Sequence, residues 1–259
     1  MIDLHSHILP GLDDGAKNID EALEMCRIAQ ADGIHTLVAT PHCRDGVYNN
    51  NQATILPALE NLRDALQREG VALTLLPGID ILIYPGLIDF LDRNPHLLLG
   101  GRYVLLELPI ESVPLHTLDF LFKMQLKGYT PIITHPERNS VIQNEPAIVE
   151  ELVRVGALVQ VTAMSLTGEF GGQARESAHR LVRSGLAHSI ATDAHSPHRR
   201  PPVLSHGRKV LEEIVGPVEA LKMVEEIPEK ILRGEPVEGR PLRETPPSRP
   251  SFFRRLFMR

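Results

Sequence analysis

Seven short apolar runs rich in Val, Ile, Leu and Thr punctuate the chain: IDLHSH, HTLVATPH, LTLLPGID, YVLLELP, PIITHPER, ALVQVTA and HSIATDAH. Each is too short for a helix, and its consecutive apolar positions are the pattern of a strand buried on both faces. Longer amphipathic stretches separate them. A helix is predicted over 18–32, with Asn18 and Glu21 as a variant capping box and Gly33 as the stop. A second is predicted over about 114–127, where Leu115, Leu118, Phe122 and Leu126 recur at helical spacing before Gly128. A third follows Asn144 as N-cap, with Pro146 in its first turn and Gly156 at its end. Strands separated by helices specify βα units and a mainly parallel sheet. Seven such units suit a TIM-like (β/α)7 barrel of the α/β class better than an open sheet. No internal repeat of fixed period points to a solenoid.

Composition narrows this picture. With 259 residues, 42% of them hydrophobic, the chain can bury a large core. A net charge of −6 gives no global field for nucleic acid, so no nucleic-acid partner is expected. Cys26 and Cys43 form no disulfide framework, and the sequence shows neither a leader pattern nor a membrane-spanning run, which predicts a cytoplasmic protein. The domain reading is a barrel over 1–239 and a tail over 240–259. That tail holds six Arg against one Glu, four Pro, and the cluster Phe252, Phe253, Leu256 and Phe257. It reads as a flexible terminus, with a peripheral membrane or partner contact as the sharper alternative. The first helix and the tail are candidate surfaces for homo-oligomer contacts.

The oddity is twelve histidines. In a strand, alternation sends Asp3, His5 and His7 to one side and Ile2 and Leu4 to the other, so His5 and His7 can hold one ion. Alone, His-x-His is a weak signal. But His42, Asp80, Glu107, His135, Asp193 and His195 lie at or near the C-terminal ends of other predicted strands; only ALVQVTA lacks such a residue. Parallel barrels gather their functional groups at that end. Imidazole with carboxylate is the ligand set of Zn, Mn and Fe. Asp13 and Asp14 follow the first strand; Asp14-Gly15 is ordinary turn chemistry, yet Asp14 is also a ligand candidate.

MIDLHSHILPGLDDG, IHTLVATPH, LKGYTPIITHPERN and ATDAH together resemble the polymerase and histidinol phosphatase (PHP) superfamily. They are especially similar to the bacterial manganese-dependent protein-tyrosine phosphatases of capsule and exopolysaccharide clusters. The resemblance implies a seven-stranded distorted barrel with three divalent ions, manganese first, with iron or zinc as alternatives. It implies His5, His7 and Asp193 on one ion, Glu107 and His135 on a second, Asp14, His42 and His195 on a third, and a carboxylate at position 80 bridging the first two. The family carries Glu there; Asp80 is shorter by about 1.5 Å.

The chemistry that follows is hydrolysis of a phosphate monoester by metal-activated hydroxide, with no phosphoenzyme. The resemblance makes the substrate a phosphotyrosine protein, in particular a bacterial tyrosine autokinase regulating polysaccharide export. Arg138 and Arg200 match the family's phosphate-binding arginines, with Arg199 able to substitute for Arg200. Alternatives are a small-molecule phosphoesterase such as histidinol phosphatase, or a non-catalytic scaffold. HCRDGVYN is not a cysteine-phosphatase loop, since Asn49 stands where that chemistry needs Arg; Cys43 reads as a small half-buried residue rather than a nucleophile.

Overall fold

The computed structural model describes residues 1–44 and 46–238; the 240–259 tail lies outside the described residues. Among the described residues there are ten strands: β1 (Ile2–Ser6), β2 (Thr36–Ala39), β3 (His42–Arg44), β4 (Tyr48–Asn49), β5 (Thr74–Pro77), β6 (Asp80–Leu82), β7 (Tyr103–Glu107), β8 (Thr130–Thr134), β9 (Leu158–Thr162) and β10 (Ser189–Ala191). All described ladders are parallel except the β3–β4 hairpin.

The excess over seven has a local cause. The second predicted run breaks between β2 and β3 at Thr40-Pro41, where proline brings no amide donor. The third breaks between β5 and β6 at Gly78-Ile79, where the backbone comes so close to β2 that a Cβ on Gly78 would lie 2.7 Å from Val38 Cγ1. The lower halves make a three-stranded sheet, β1-β2-β5, and the upper halves join a seven-stranded sheet, β10-β9-β8-β7-β6-β3-β4. The two sheets meet again at the Ser6–Ala194 bridge, where His7 N donates to Ala194 O at 2.8 Å and Asp193 N donates to His5 O at 3.0 Å. Seven strand segments thus surround one interior, the barrel that the pattern predicts with the distortion that the resemblance implies.

Both strand faces are buried. Inside the ring, Ile2, Leu4, Val38, Tyr103, Leu105, Ile132 and Leu158 form one apolar cluster with Leu99 and Ile231. Outside it, Leu37, Leu106, Ile133, Val159 and Ile190 pack against helix residues such as Met25, Leu62, Leu121 and Leu181. Cys43, expected to be half-buried, is buried in this outer cluster.

The helices follow the sequence in part. The first spans Ile19–Ala31; Asn18 Oδ1 accepts from Glu21 N at 3.0 Å, and the Glu21 carboxylate accepts from Lys17 N at 2.8 Å. The second spans Thr117–Leu126, but its buried face is Thr117, Leu121 and Met124, not the expected stripe. Leu115, Phe122 and Leu126 are exposed. The same apolar spacing fits two phases of the helix, and Leu121 with Met124 is the phase that packs on the strands. Asn144 is not the N-cap of the third helix, which spans Ala147–Arg154 with Pro146 before it. Asn144 instead ends a short helix, Ser140–Asn144, that Asn139 caps by accepting from Val141 N and Ile142 N. Among the described residues, no helix is long and apolar enough to cross a membrane.

Candidate metal centre

All nine expected ligands converge at the C-terminal end of the barrel, and eight are buried; Asp14 is exposed. Their donor atoms fall into three groups: His5, His7 and Asp193; His42, Asp80 and Glu107; and His7, Asp14, His42 and His195. His135 stands at the edge, its Nε2 3.9 Å from Glu107 Oε1, and His42 takes the place beside Asp80 and Glu107 that the resemblance gives to His135.

Simple alternation does not bring His5 here. Ile2 and Leu4 point into the barrel, and the register of β1 against β2 shifts between Asp3 and Ser6. Such a bulge re-aims a side chain, and beyond it His5 Nε2 lies 3.6 Å from Asp80 Oδ2 and 3.4 Å from Asp193 Oδ1. Asp3 turns instead to β10, accepting from Thr192 N at 3.0 Å and Thr192 Oγ1 at 2.5 Å. Burial pushes its carboxyl up to about 7. Two ligands carry unusual backbone: His135 has φ 36° and Asp193 φ 52°. Left-handed geometry costs about 1–3 kcal/mol in a non-glycine residue and gathers where it re-aims a functional group. Gly15 is required for closeness: a Cβ there would sit 2.0 Å from His7 O.

The donors suit a cation. His7 Nδ1 lies 2.6 Å from Asp13 Oδ2, and His5 Nδ1 lies 3.3 Å from Gln160 Oε1. Since each of those outer nitrogens donates, the inner Nε2 atoms, 3.0 Å apart, offer lone pairs to one point. A proton or a metal ion must be shared there. Burial opposes a proton on His7, but Asp13 and Asp193 overcome it and push the imidazole up to about 10. His195 Nδ1 lies 2.9 Å from Asp193 O, leaving its Nε2 facing Asp14 Oδ1 at 3.6 Å. His42 Nδ1 and Asp80 Oδ2, both buried, face one another at 3.0 Å without a hydrogen bond. The shorter Asp80 thus reaches both His5 and His42.

The charges have separate causes. Burial lowers His195 to about 2 and His135 to about 3. Burial also raises Glu107, to about 7, with Asp80 adding to the effect. Asp80 and Asp193 ionise well below the usual carboxylate range; burial opposes this, and His5 and the neighbouring cationic groups outweigh it. Such divergence within one pocket marks a reactive centre.

Arg138 Nη1 donates to Asp193 Oδ2 at 2.9 Å, and Arg200 Nη2 donates to the same oxygen. Arg200, not Arg199, reaches the site. Both guanidinium groups lie over the Phe170 ring, 4.4 and 5.4 Å from its centroid.

Sequence reasoning missed the supports. Asp13, in the loop after the first strand, holds His7 and also accepts from His42 N at 2.8 Å. Gln160 lies on the one strand thought to contribute nothing; its amide inside an otherwise apolar run was the available signal. Buried Glu137 accepts from Thr162 N at 2.9 Å and ties the His135 turn to β9. Arg44, two residues after His42, donates to Glu107. Phe170 left no signal.

Comparison with known proteins agrees with this geometry. Residues 1–233 match the family model for capsular polysaccharide synthesis, CpsB/CapC. The chain is 39% identical over 242 residues to the tyrosine-protein phosphatase YwqE of Bacillus subtilis, covering 93% of this chain and 95% of that protein. It is 25% identical to the tyrosine-protein phosphatase CpsB of Streptococcus pneumoniae, covering 90% and 98%. A chain from the crystal structures of YwqE and CpsB, described as metal-dependent tyrosine phosphatases, superposes with a TM-score of 0.89 at 38% identity, covering 95% of this chain and 100% of that one. A zinc-bound histidinol phosphate phosphatase from Lactococcus lactis shares the fold alone, with a TM-score of 0.55 at 10% identity. The chain therefore belongs to the CpsB/CapC capsular polysaccharide synthesis family.

Proposed function

We propose that the chain is a metal-dependent protein-tyrosine phosphatase whose substrate is a tyrosine autokinase of capsule or exopolysaccharide synthesis. It works in the cytoplasm with three divalent ions, manganese first. The observation that carries this reading is the convergence of three His-carboxylate donor groups, buried except for Asp14, beside Arg138 and Arg200. The ligands are His5, His7, Asp14, His42, Asp80, Glu107, His135, Asp193 and His195.

Divalent ions held there would supply positive charge for the phosphoryl oxygens and ionise a water near neutral pH. The chain does the rest. Arg138 and Arg200 present planar forks to the phosphoryl group, and Phe170 beneath them fixes their planes, so the anion is oriented before reaction. Asp13 and Gln160 fix which nitrogen of His7 and His5 faces inward. The leaving tyrosinate has a parent pKa of about 10 and departs with modest proton assistance.

The test is phosphate release by chelator-stripped full-length protein reloaded with Mn²⁺. The reading predicts turnover of a phosphotyrosine peptide, little of a phosphoserine peptide, and loss of both with chelator. Preference for histidinol phosphate, or no turnover of any substrate, would overturn it.

A further inference from the structure

Arg44 has no place in the ligand set, yet it is bound to that set through Glu107. Its Nη2 donates to both Glu107 oxygens at 2.8 Å, its Nε donates to Oε2 at 3.1 Å, and Nη2 lies 3.4 Å from His42 Nε2. The two carboxylates that anchor opposite ends of the centre are therefore treated alike. Asp193 carries Arg138 and Arg200, and Glu107 carries Arg44.

A carboxylate offers the same lone pairs to a guanidinium and to a divalent ion, so an ion at His42, Asp80 and Glu107 competes directly with Arg44 for Glu107. A doubly charged ion held there would prevail, and the displaced guanidinium would need a new anion. Arg44 has room to turn: its side chain is 34% exposed, against 10% for Glu107, and it stands on the short β3–β4 hairpin. Tyr48, on the other strand of that hairpin, stacks on His42 at a ring separation of 6.0 Å.

We infer that Arg44 is a third phosphoryl-binding guanidinium, which exchanges Glu107 for an oxygen of the phosphate and closes on it from the side opposite Arg138 and Arg200. A transferring phosphoryl group spreads its charge over three oxygens. Two forks on the Asp193 side and one on the Glu107 side meet that distribution better than two alone. The inference rests on the phosphatase reading of the site.

The experiment uses the full chain loaded with Mn²⁺ and inorganic phosphate as the probe, with phosphate and manganese each titrated calorimetrically. Arg44→Gln is expected to weaken phosphate binding by about 10- to 100-fold, the range for losing hydrogen bonds to a charged group. Arg44→Lys recovers part of the loss. Manganese binds either variant as tightly as wild type or more tightly, because a competitor for Glu107 is weakened or gone. Circular dichroism and melting of both variants confirm folding. Phosphate binding by Arg44→Gln equal to wild type would overturn the inference and leave the phosphatase reading standing. Weaker manganese binding in Arg44→Gln would also overturn it, by making Arg44 a structural support of Glu107. A wild-type protein that binds manganese but no phosphate would overturn both.

Discussion

The lower and upper halves of the barrel interior are built by the same strands and obey opposite rules. On β7 the lower residue is Leu105 and the upper Glu107; on β8 they are Ile132 and Thr134; on β9, Leu158 and Gln160. Two residues along a strand is about 7 Å. Over that distance the interior changes from a cluster held by apolar burial to one in which His7 is driven up to about 10 and His195 down to about 2. The lower half stabilises the ring whatever the charge state above it. The upper half holds a set of charges tolerable only in one another's company, or around cations. Separating the two is how a parallel barrel carries a strained, reactive centre on a stable frame.

The hardest blow to the upper half is Asp193→Asn. This carboxylate faces His5 at 3.4 Å and His7 at 3.3 Å and holds both Arg138 and Arg200. Phosphate release from a phosphotyrosine peptide should fall by at least about 10³-fold, the upper end for losing one electrostatic contact. In the lower half, Leu105→Ala should cost about 2–5 kcal/mol in urea unfolding. Activity per folded molecule should hold within about threefold if the halves are separate; a collapse of activity in step with stability would break the comparison.

Asp13→Asn sharpens it from the side. The amide keeps the shape but loses the charge that fixes His7, so manganese affinity should drop by about 10- to 100-fold, with unfolding little changed. The smallest effect is expected far away, at Glu225, which pairs with the N-terminal amine at 3.1 Å and with His35 at 2.6 Å. Burial opposes ionisation of Glu225, but these partners outweigh it and depress its pKa. Its contribution is therefore present above the unfolded value of 4.5 and is lost as pH falls through the lower folded one. Glu225→Gln should cost less than about 1 kcal/mol at neutral pH and nothing in strong acid, with activity untouched.

Much of this was legible in the sequence because strand ends are. An apolar run that finishes in His, Asp or Glu announces both the strand and the end that carries chemistry, and eight of the nine candidate ligands lie that way; Asp14, in a loop, follows from the family resemblance. What escaped depends on relations between runs. The split of HTLVATPH and LTLLPGID follows from Pro41 and from the tight approach of Gly78 to β2. The inward aim of His5 depends on a bulge against β2, and strict alternation would have sent it elsewhere. Leu115, Phe122 and Leu126 illustrate a different limit: periodicity identifies a helix, but only its neighbours decide which phase is buried. Asp13 and Arg44 act through partners 6 and 63 positions away, a relation no local pattern carries.

The upper half of the barrel is organised for cations. The most direct measurement is the metal content of chelator-stripped full-length protein after equilibrium dialysis against Mn²⁺, Fe²⁺ or Zn²⁺, with proton release followed during loading. The account predicts three divalent ions per chain from at least one of these metals, with protons released as His7 gives up the one that Asp13 and Asp193 hold on it. Retention of less than one ion per chain from any of the three would contradict it.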